Sequence, residues 1–390
     1  MSLNLSKIRH ETPATQHLIH FNNAGAALSP VTVSAAVIAH LQREQEIGGY
    51  EAAAEAHTGI ENFYSAFSTM LGCSPNEIAY AENATSAWNK LFSAIPFEPG
   101  QSILTGQSEY ASNYMAFLHL AKHKGVNIKV IPNTESGVID LQLLEQAINT
   151  NVKLIALTHV PSQSGTIHPA QEVGLLARKH NILYLLDACQ SAGQMQLNVD
   201  TLGCDMLTGT GRKYLRGPRG TGFIYLRQSA VSQLEPTEID MHSATWTGRD
   251  TYTIREDARK FESFECFVAG KIGLGVAVDY ALQLGLDNIE TRVQSLAQQL
   301  RDSLVKIPNV QVHDQGHHLS GIVTFNKKGY NADALQAHLR THNANTSVAR
   351  RGNNQLDFVQ RNLEDLNRAS VHYYNTEEEI ERFCSVVKAL

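Results

Sequence analysis

Short apolar runs alternate with helix-like patterns as far as Leu226, and this alternation limits the possible folds more than any other feature. The strand-like runs are Glu77–Glu82, Ser102–Gly106, Asn127–Pro132, Lys153–His159, Ile182–Ala188, Met206–Gly209 and Thr221–Leu226. Helical patterns fill most of the intervals, at Thr85–Ile95, Tyr110–Lys124, Leu141–Thr150 and Pro169–His180. Strand–helix units of roughly 25–30 residues predict an α/β fold with a seven-stranded, mostly parallel sheet and helices on both faces. The last two runs leave no room for a crossover helix, so we expect one antiparallel strand there.

The pattern changes after Phe261. Apolar residues on one face of a long helix are Ile289, Val293, Leu296, Leu300 and Leu304. Strand-like segments follow at Val310–His313, Gly321–Phe325 and Ser370–Tyr374, with a helix near Ala332–Thr341. Thr376 and Glu379 predict a capping box at the start of a final helix. We therefore predict a large domain over residues 21–262, a small α+β domain over residues 263–390, and an N-terminal segment, residues 1–20, that packs on the small domain.

Composition excludes several classes of protein. The chain of 390 residues carries 32 Lys and Arg against 38 Asp and Glu, a net charge of −6, which gives no overall field to attract nucleic acid or an anionic membrane. The five Cys have neither zinc-site nor disulfide-framework spacing, so we expect no metal. We find neither an apolar secretion signal in the first twelve residues nor a run of about 18 apolar residues. These features predict a cytoplasmic protein.

The strongest chemical signal is a carboxylate followed by a lysine. Asp187 ends a strongly apolar strand, where open α/β sheets place their ligands, and Lys213 follows in a glycine-rich segment. A lysine that binds an aldehyde and a carboxylate that holds a protonated ring nitrogen are how proteins handle pyridoxal phosphate. Taken alone, the pair has a simpler alternative, a helix cap and a solvated lysine.

A phosphate site is indicated beside this pair. Ala84 and Thr85 join a strand to a helix, and a helix N-terminus suits an anion. Thr210 and Arg212 add a hydroxyl and a cation just before the lysine. Tyr110 opens another helix and could stack on a planar ring. A plain capping turn and a core aromatic are the alternatives for these segments.

Seven motifs in order resemble fold-type I pyridoxal-phosphate enzymes of the class V aminotransferase and cysteine desulfurase group, which includes selenocysteine lyase and C–S lyase relatives. They are FNNAGAALSP (21–30), ENATSAWN (82–89), SEYASN (108–113), LTHVPSQSGTIHP (157–169), LLDACQSAGQ (185–194), TGTGRKYLRGPRGTGFIYL (208–226) and NRASVHYYNT (367–376). The resemblance covers nearly the whole chain. It implies pyridoxal 5′-phosphate as the cofactor, an amino acid as the substrate and a homodimer as the assembly.

The resemblance also implies roles for individual residues. Lys213 is the catalytic lysine that carries the cofactor, Asp187 pairs with the pyridine nitrogen, and Gln190 faces the ring hydroxyl. The other implied cofactor contacts are Ala84, Thr85, Tyr110, Ser162, Thr210 and Arg212. The implied substrate contacts are Arg368, which suits a carboxylate because a guanidinium binds it bidentately, with Ala24 and Arg351.

Three departures from the family pattern affect the predicted function. Ser162 stands where desulfurases tend to have Asn, and Glu265 replaces a hydroxyl that contacts phosphate across the dimer interface. The loop Ala349–Phe358 has no Cys where desulfurases carry the persulfide, and we expect Cys189 to point away from the site. The main hypothesis is a C–S lyase-like enzyme or an aminotransferase. The alternatives are a cysteine desulfurase or selenocysteine lyase, an amino-acid epimerase, and a catalytically silent regulator with this fold.

Overall fold

The structure is a computed structural model that describes residues 3–390. Its α-helices are α1 (Leu5–His10), α2 (Val31–Ile47), α3 (Gly49–Glu55), α4 (His57–Leu71), α5 (Ala84–Ser93), α6 (Ala111–Lys124), α7 (Leu141–Ala147), α8 (Ala170–Lys179), α9 (Val199–Leu202), α10 (Gln228–Val231), α11 (Val268–Leu284), α12 (Leu286–Val305), α13 (Ala332–Thr341), α14 (Asp357–Gln360) and α15 (Glu377–Ala389). Short 3₁₀ turns cover Pro13–Gln16, Pro75–Glu77, Ala258–Phe261 and Arg351–Asn353.

The strands form one large sheet, one smaller sheet and two strand pairs. They are β1 (Ile19–His20), β2 (Ile78–Ala81), β3 (Ser102–Gly106), β4 (Asn127–Ile131), β5 (Val152–Thr158), β6 (Leu183–Asp187), β7 (Met206–Thr210), β8 (Gly222–Leu226), β9 (Ala244–Gly248), β10 (Thr251–Ile254), β11 (Val310–Val312), β12 (Ile322–Lys327), β13 (Ala344–Asn345), β14 (Ser347–Ala349) and β15 (Leu366–Ser370). The fold is therefore α/β, as the sequence predicts.

Seven strands form the large sheet within residues 3–390, in the order β2-β8-β7-β6-β5-β3-β4. Strand β8 runs antiparallel to both neighbours, and the other pairs are parallel. The predicted antiparallel strand is therefore confirmed and is β8. Apolar clusters cover both faces of the sheet, as the strand–helix alternation predicts.

A second sheet, in the order β11-β12-β15-β14, is antiparallel. Helices α12, α13 and α15 contribute apolar side chains to the core beside it. The apolar face predicted for α12 is buried along its length. The capping box predicted at Thr376 and Glu379 is present.

The N-terminal residues contact the C-terminal part of the chain. Strand β1 pairs in parallel with β13. In α1, Arg9 donates hydrogen bonds to the Tyr374 carbonyl at 2.9 Å and to Glu379 at 2.7 Å. Helix α11 lies in the range predicted for the small domain but packs beside α4, which lies in the range predicted for the large domain. Gly275 of α11 is so close to the backbone of Phe63 that an added Cβ would be only 3.2 Å away. The domain boundaries at residues 20 and 262 stay a prediction.

One predicted strand is wrong. Ser370–Tyr374 was expected to be extended, but the strand ends at Ser370, and a turn follows in which the Asn375 N–H donates to the His372 carbonyl at 3.0 Å. The Asn375 side chain stabilises this turn, because its oxygen accepts from the His372 N–H at 2.8 Å. Helices α2 and α4 and the exposed hairpin β9–β10 have no counterpart in the sequence prediction. No helix within residues 3–390 is both long and apolar enough to cross a membrane.

Candidate active site

The carboxyl ends of three neighbouring strands form one wall of a cleft. Thr158 ends β5, Asp187 ends β6 and Thr210 ends β7. The cleft is lined by Asn83, Ala84, Thr85, Tyr110, Thr158, Val160, Ser162, Asp187, Cys189, Gln190, Thr210, Arg212 and Lys213. All nine cofactor-binding residues predicted from the sequence lie together in this cleft. Ligands occupy this place in other α/β sheets.

Asp187 is buried and held by two donors. Its Oδ1 atom accepts from the Cys189 N–H at 2.8 Å, and its Oδ2 atom accepts from the Asn113 amide at 2.9 Å. Because the carboxylate has further lone pairs, it can also accept from a protonated ring nitrogen in the cleft. Asp187 is not a helix cap, because the next helix, α9, begins only at Val199 and the Asn113 contact comes from α6.

The amine of Lys213 is buried in the cleft and lies 6.0 Å from the centroid of the Tyr110 ring. Burial lowers the pKa of Lys213, the negative charge of Asp187 opposes this, and the guanidinium groups of Arg212 and Arg368 reinforce it. A lower pKa increases the fraction of uncharged amine, which is the nucleophilic form. The solvated-lysine alternative is therefore wrong.

The turn before α5 packs directly against the backbone of strand β8. The Asn83 side chain caps the helix by accepting from the Ser86 N–H at 2.9 Å. Behind the turn, a Cβ on Gly222 would lie 2.8 Å from the Asn83 carbonyl carbon and 3.1 Å from the Ala84 nitrogen. Strand β8 therefore supports this turn from behind with its backbone alone, and the turn presents Thr85 to the cleft.

Cys189 corrects one expectation from the sequence. It lines the cleft rather than pointing away from it, because the chain leaves the strand direction directly after Asp187. Burial raises the pKa of Cys189 well above its ordinary value, and the charge of Asp187 adds to this effect. Its thiol is therefore protonated and weakly nucleophilic at neutral pH.

Arg368 reaches the edge of the cleft from strand β15. Its Nη1 donates to the Ser162 carbonyl at 2.7 Å, and its Nη2 lies 3.4 Å from the Asn22 side-chain oxygen. Its Nε is buried without a hydrogen-bond partner among residues 3–390. Burial lowers the pKa of Arg368 to about 10, so the group is cationic at neutral pH and suited to a carboxylate.

The other two predicted substrate contacts differ from each other. The Ala24 carbonyl accepts from the Gln190 amide at 3.1 Å, which places Ala24 beside the cleft. Arg351 is not among the residues that line the cleft, and its guanidinium pairs with Glu364 at 2.5 Å. The structure therefore does not support a substrate contact for Arg351, because its guanidinium forms an ion pair with Glu364 outside the cleft.

The segment that departs from the family pattern has a structural role. Glu265 is exposed, whereas Glu262 is buried and lies 3.2 Å from Lys271 and 3.1 Å from His242. The Tyr80 N–H donates to Glu262 at 2.7 Å. Glu262 thus joins this segment to β2 and α11.

Sequence reasoning missed several residues of the site. Thr158 lines the cleft, while Glu109 and Asn113 lie behind it in contact with Thr158 and Asp187. The four-residue spacing of Glu109 and Asn113 at a helix start was the available signal, since such residues share one face. Single polar residues at strand ends give no comparable pattern.

The residues present fit pyridoxal phosphate. An acceptor for a ring nitrogen, a buried amine and a phosphate-suited turn surround one cleft. Gln190 also lines this cleft, and its side-chain oxygen is buried without a hydrogen-bond partner among the described residues. A planar, partly anionic aldehyde would satisfy these groups.

Comparisons with known proteins agree with this chemistry. A family model described as Aminotransferase class-V matches residues 19–383. A probable cysteine desulfurase of Methanothermobacter thermautotrophicus is 27% identical over 96% of this chain and 95% of the relative. The apo structure of a cysteine desulfurase from Thermococcus onnurineus NA1 superposes with a TM-score of 0.92 at 26% identity, covering 100% of this chain and 98% of that one.

A cystine C–S lyase, C-DES, in complex with cysteine persulfide has the same fold, with a TM-score of 0.87 at 21% identity over 97% of this chain and 99% of that one. The family match extends over nearly all of the chain, and it includes every residue that lines the cleft. The enzyme interpretation is thus supported over the catalytically silent alternative. With its fold, its cleft and this match, the chain belongs to the class-V aminotransferase family and is a pyridoxal 5′-phosphate-dependent enzyme.

Proposed function

We propose that the enzyme cleaves the Cβ–S bond of cysteine or a related L-amino acid and releases the sulfur to solvent as sulfide or a thiol. The observation that carries this proposal is a complete set of groups for the cofactor and an amino acid, without a reactive thiol on the loop Ala349–Phe358. For cysteine, the balanced reaction is cysteine plus water to pyruvate, ammonia and hydrogen sulfide.

The proposed roles of the residues follow from their positions. Bound pyridoxal phosphate supplies an aldehyde that condenses with amines and a ring that accepts electrons. Asp187 would hold the ring nitrogen in its protonated form, and Tyr110 would stack on the ring. Lys213 would bind the aldehyde in the resting enzyme and would accept a proton from the substrate Cα. Thr85, Thr210 and Arg212 would hold the phosphate, and Gln190 would contact the ring hydroxyl.

Arg368 orients the substrate through its carboxylate. Its Nη1 contacts the carbonyl of Ser162, which lines the cleft that holds Lys213, and its buried Nε has no hydrogen-bond partner among the described residues. A fixed carboxylate limits rotation of the substrate about its Cα, so that one bond at Cα faces the ring and the amine.

The absence of a loop thiol separates a lyase from a persulfide-forming enzyme. The loop approaches the cleft at Asn353, whose carbonyl lies 3.5 Å from the Gln163 amide nitrogen next to Ser162. The loop offers arginines and amides there, none of which can accept sulfur. Cys189 is the cysteine that lines the cleft, and burial keeps its thiol protonated.

Product analysis distinguishes the activities. The holoenzyme is incubated with L-cysteine, L-cystine and L-alanine, and pyruvate, ammonia, sulfide, alanine and oxoacids are measured. A lyase gives pyruvate and ammonia in equal amounts with sulfide. A desulfurase gives alanine and a protein persulfide, an aminotransferase needs an added oxoacid, and an epimerase gives only the D-amino acid. Alanine in place of pyruvate, with a persulfide on any cysteine, would overturn the proposal.

The desulfurase alternative has one observation in its favour. The relatives that match over nearly the full chain are named cysteine desulfurases or probable cysteine desulfurases. Intact-mass measurement after cysteine treatment tests the desulfurase alternative, because a persulfide adds one sulfur atom to the protein. Peptide mapping then shows whether Cys189 or Cys266 carries it.

We further propose that the enzyme works as a homodimer. Large apolar side chains are exposed around a cavity of about 1070 Å³ that shares Thr85 with the cofactor cleft. Met115 and Ile239 line the cavity and are 60% and 44% exposed. A patch of this kind marks an interaction site, and a second copy would close the cavity beside the phosphate turn. Sedimentation of the wild type and of Met115→Glu tests the proposed dimer, and a monomeric wild type would contradict it.

A further inference from the structure

A buried carboxyl group that none of the roles above uses lies directly behind the cleft. Glu109 is 5% exposed. Its Oε1 atom accepts from the Tyr110 N–H at 2.8 Å, from the Asn113 amide at 2.9 Å and from the Thr158 hydroxyl. Its Oε2 atom accepts from the Thr105 hydroxyl at 3.0 Å. The Oε1 atom therefore accepts hydrogen bonds both from the start of α6 and from the end of β5.

Asn113 extends this arrangement to the cofactor site. Its amide nitrogen has two N–H donors, and both contacts are to carboxylates, one to Glu109 and one to Asp187 Oδ2 at 2.9 Å. Since the Asn113 amide is planar, fixing one N–H on Glu109 also fixes the direction of the other. The orientation of Asp187 therefore depends on Glu109.

We propose that Glu109 is a positioning residue for the cofactor ring. It fixes Tyr110 and Thr158 directly, and it fixes Asp187 through Asn113. The inference rests on the proposed assignment of Asp187 to the ring nitrogen. Burial raises the pKa of Glu109, and a protonated carboxyl group still has a carbonyl acceptor. The role accordingly requires an acceptor oxygen rather than a negative charge.

The test is nuclear magnetic resonance of holoenzyme loaded with pyridoxal phosphate that is ¹⁵N-labelled in the ring. The midpoint pH at which the ring nitrogen loses its proton is compared in the wild type, Glu109→Ala and Glu109→Gln. We expect Glu109→Ala to lower this midpoint by about one unit and to weaken cofactor binding about tenfold, as for other groups in one hydrogen-bond network. Glu109→Gln should restore both, because its amide oxygen accepts from the same three donors.

A double-mutant comparison tests the path through Asn113. In an Asn113→Ala background, Glu109→Ala should give no further change in the ring-nitrogen midpoint. Thr105→Val is the matched control, because it removes a contact to Glu109 on the other oxygen. Circular dichroism establishes folding. If Glu109→Ala fails to fold, Asn113→Leu carries the comparison, because it breaks the same link to Asp187 at similar volume.

Three results would overturn the inference: a Glu109→Ala midpoint equal to that of the wild type, a Glu109→Gln defect as large as that of Glu109→Ala, or the same Glu109→Ala shift with and without Asn113. Asp187→Asn separates this failure from that of the proposed function. If Asp187→Asn leaves the ring-nitrogen resonance unchanged, the assignment of Asp187 is wrong. If it shifts the resonance while the Glu109 variants do not, the inference about Glu109 alone is wrong.

Discussion

The Lys213 amine lies 6.0 Å from the centroid of the Tyr110 ring, across a cleft that Asp187 also lines. Tyr110 comes from the start of α6 and Lys213 from the loop after β7, so two separate connections meet at the carboxyl edge of the sheet. A planar ring that stacks on Tyr110 therefore comes within reach of a buried amine. The fold thus places the side chain that would stack on the cofactor ring and the lysine that would bind its aldehyde in the same cleft.

Arg368 should determine the affinity for amino-acid substrates. Arg368→Ala removes the cation that binds the carboxylate, and truncating one member of a buried charge pair typically costs about 2–5 kcal/mol. We expect a large rise in KM for amino acids in steady-state kinetics, with the visible absorption of the resting holoenzyme nearly unchanged. Arg382→Ala, on an exposed position of α15, is the control. An unchanged KM in Arg368→Ala would rule out the carboxylate role.

Gly222 should be required for a tight phosphate turn. A Cβ there would lie 2.8 Å from the carbonyl carbon of Asn83, and neither backbone can yield without moving the other. We expect Gly222→Ala to weaken cofactor binding, measured by equilibrium dialysis, and to lower the melting temperature. Gly49→Ala is the matched control, because nothing lies within 4 Å of its added Cβ. Equal cofactor affinity in the two variants would show that the turn does not depend on Gly222.

Glu262 should make stability depend on pH in the acid range. Burial alone would raise its pKa, but contacts from His242, Lys271, the Tyr80 N–H and Tyr64 lower it to about 2. Because the pKa is depressed in the folded state, the stabilisation is present above the unfolded value of 4.5 and is lost as pH falls toward 2.

When fully ionised, Glu262 contributes on the order of 3 kcal/mol to the free energy of unfolding. Urea unfolding of Glu262→Gln and the wild type should therefore differ most at pH 7 and progressively less below pH 4.5. The exposed Glu381→Gln provides the baseline. A difference that stays constant from pH 7 to pH 3 would show that ionisation of Glu262 is not its cause.

The capping box of α15 should contribute to stability without affecting the site. The Thr376 hydroxyl accepts from the Glu379 N–H at 3.2 Å. Thr376→Ala should lower the free energy of unfolding by about 1 kcal/mol in chemical denaturation. Ser385→Ala, at an exposed position of the same helix, should change it little. Equal stabilities of the two variants would mean that the cap is not important here.

The large sheet could be predicted from the sequence because its strands are short, apolar and separated by helices. Ser102–Gly106 has the same bounds in the sequence prediction and in the structure. Helices α2 and α4 were missed because both precede β2, the first strand of the large sheet, and so lie outside the strand–helix alternation. The strand that carries Arg368 was placed too late, since the side-chain-stabilised turn at His372–Asn375 resembles an apolar strand in sequence.

The parts of the site that could be predicted are those whose residues lie in a motif that resembles a motif of the family. Asp187, Lys213 and Thr85 are of this kind, and they line one cleft. The position of Cys189 could not be predicted, because it depends on the direction that the chain takes after a strand. Arg351 was assigned from its loop alone, and its pairing with Glu364 comes from tertiary packing that the local sequence does not indicate.

The most direct test of the account is the position of the cofactor attachment. The holoenzyme is reduced with borohydride, digested and mapped by mass spectrometry, and Lys213→Ala and the exposed Lys124→Ala are treated alike. We predict a pyridoxyl group on Lys213 in the wild type and in Lys124→Ala, and none in Lys213→Ala, which should still bind some cofactor without turnover. A pyridoxyl group on another lysine of the wild type, or none in cofactor-loaded protein, would contradict the account.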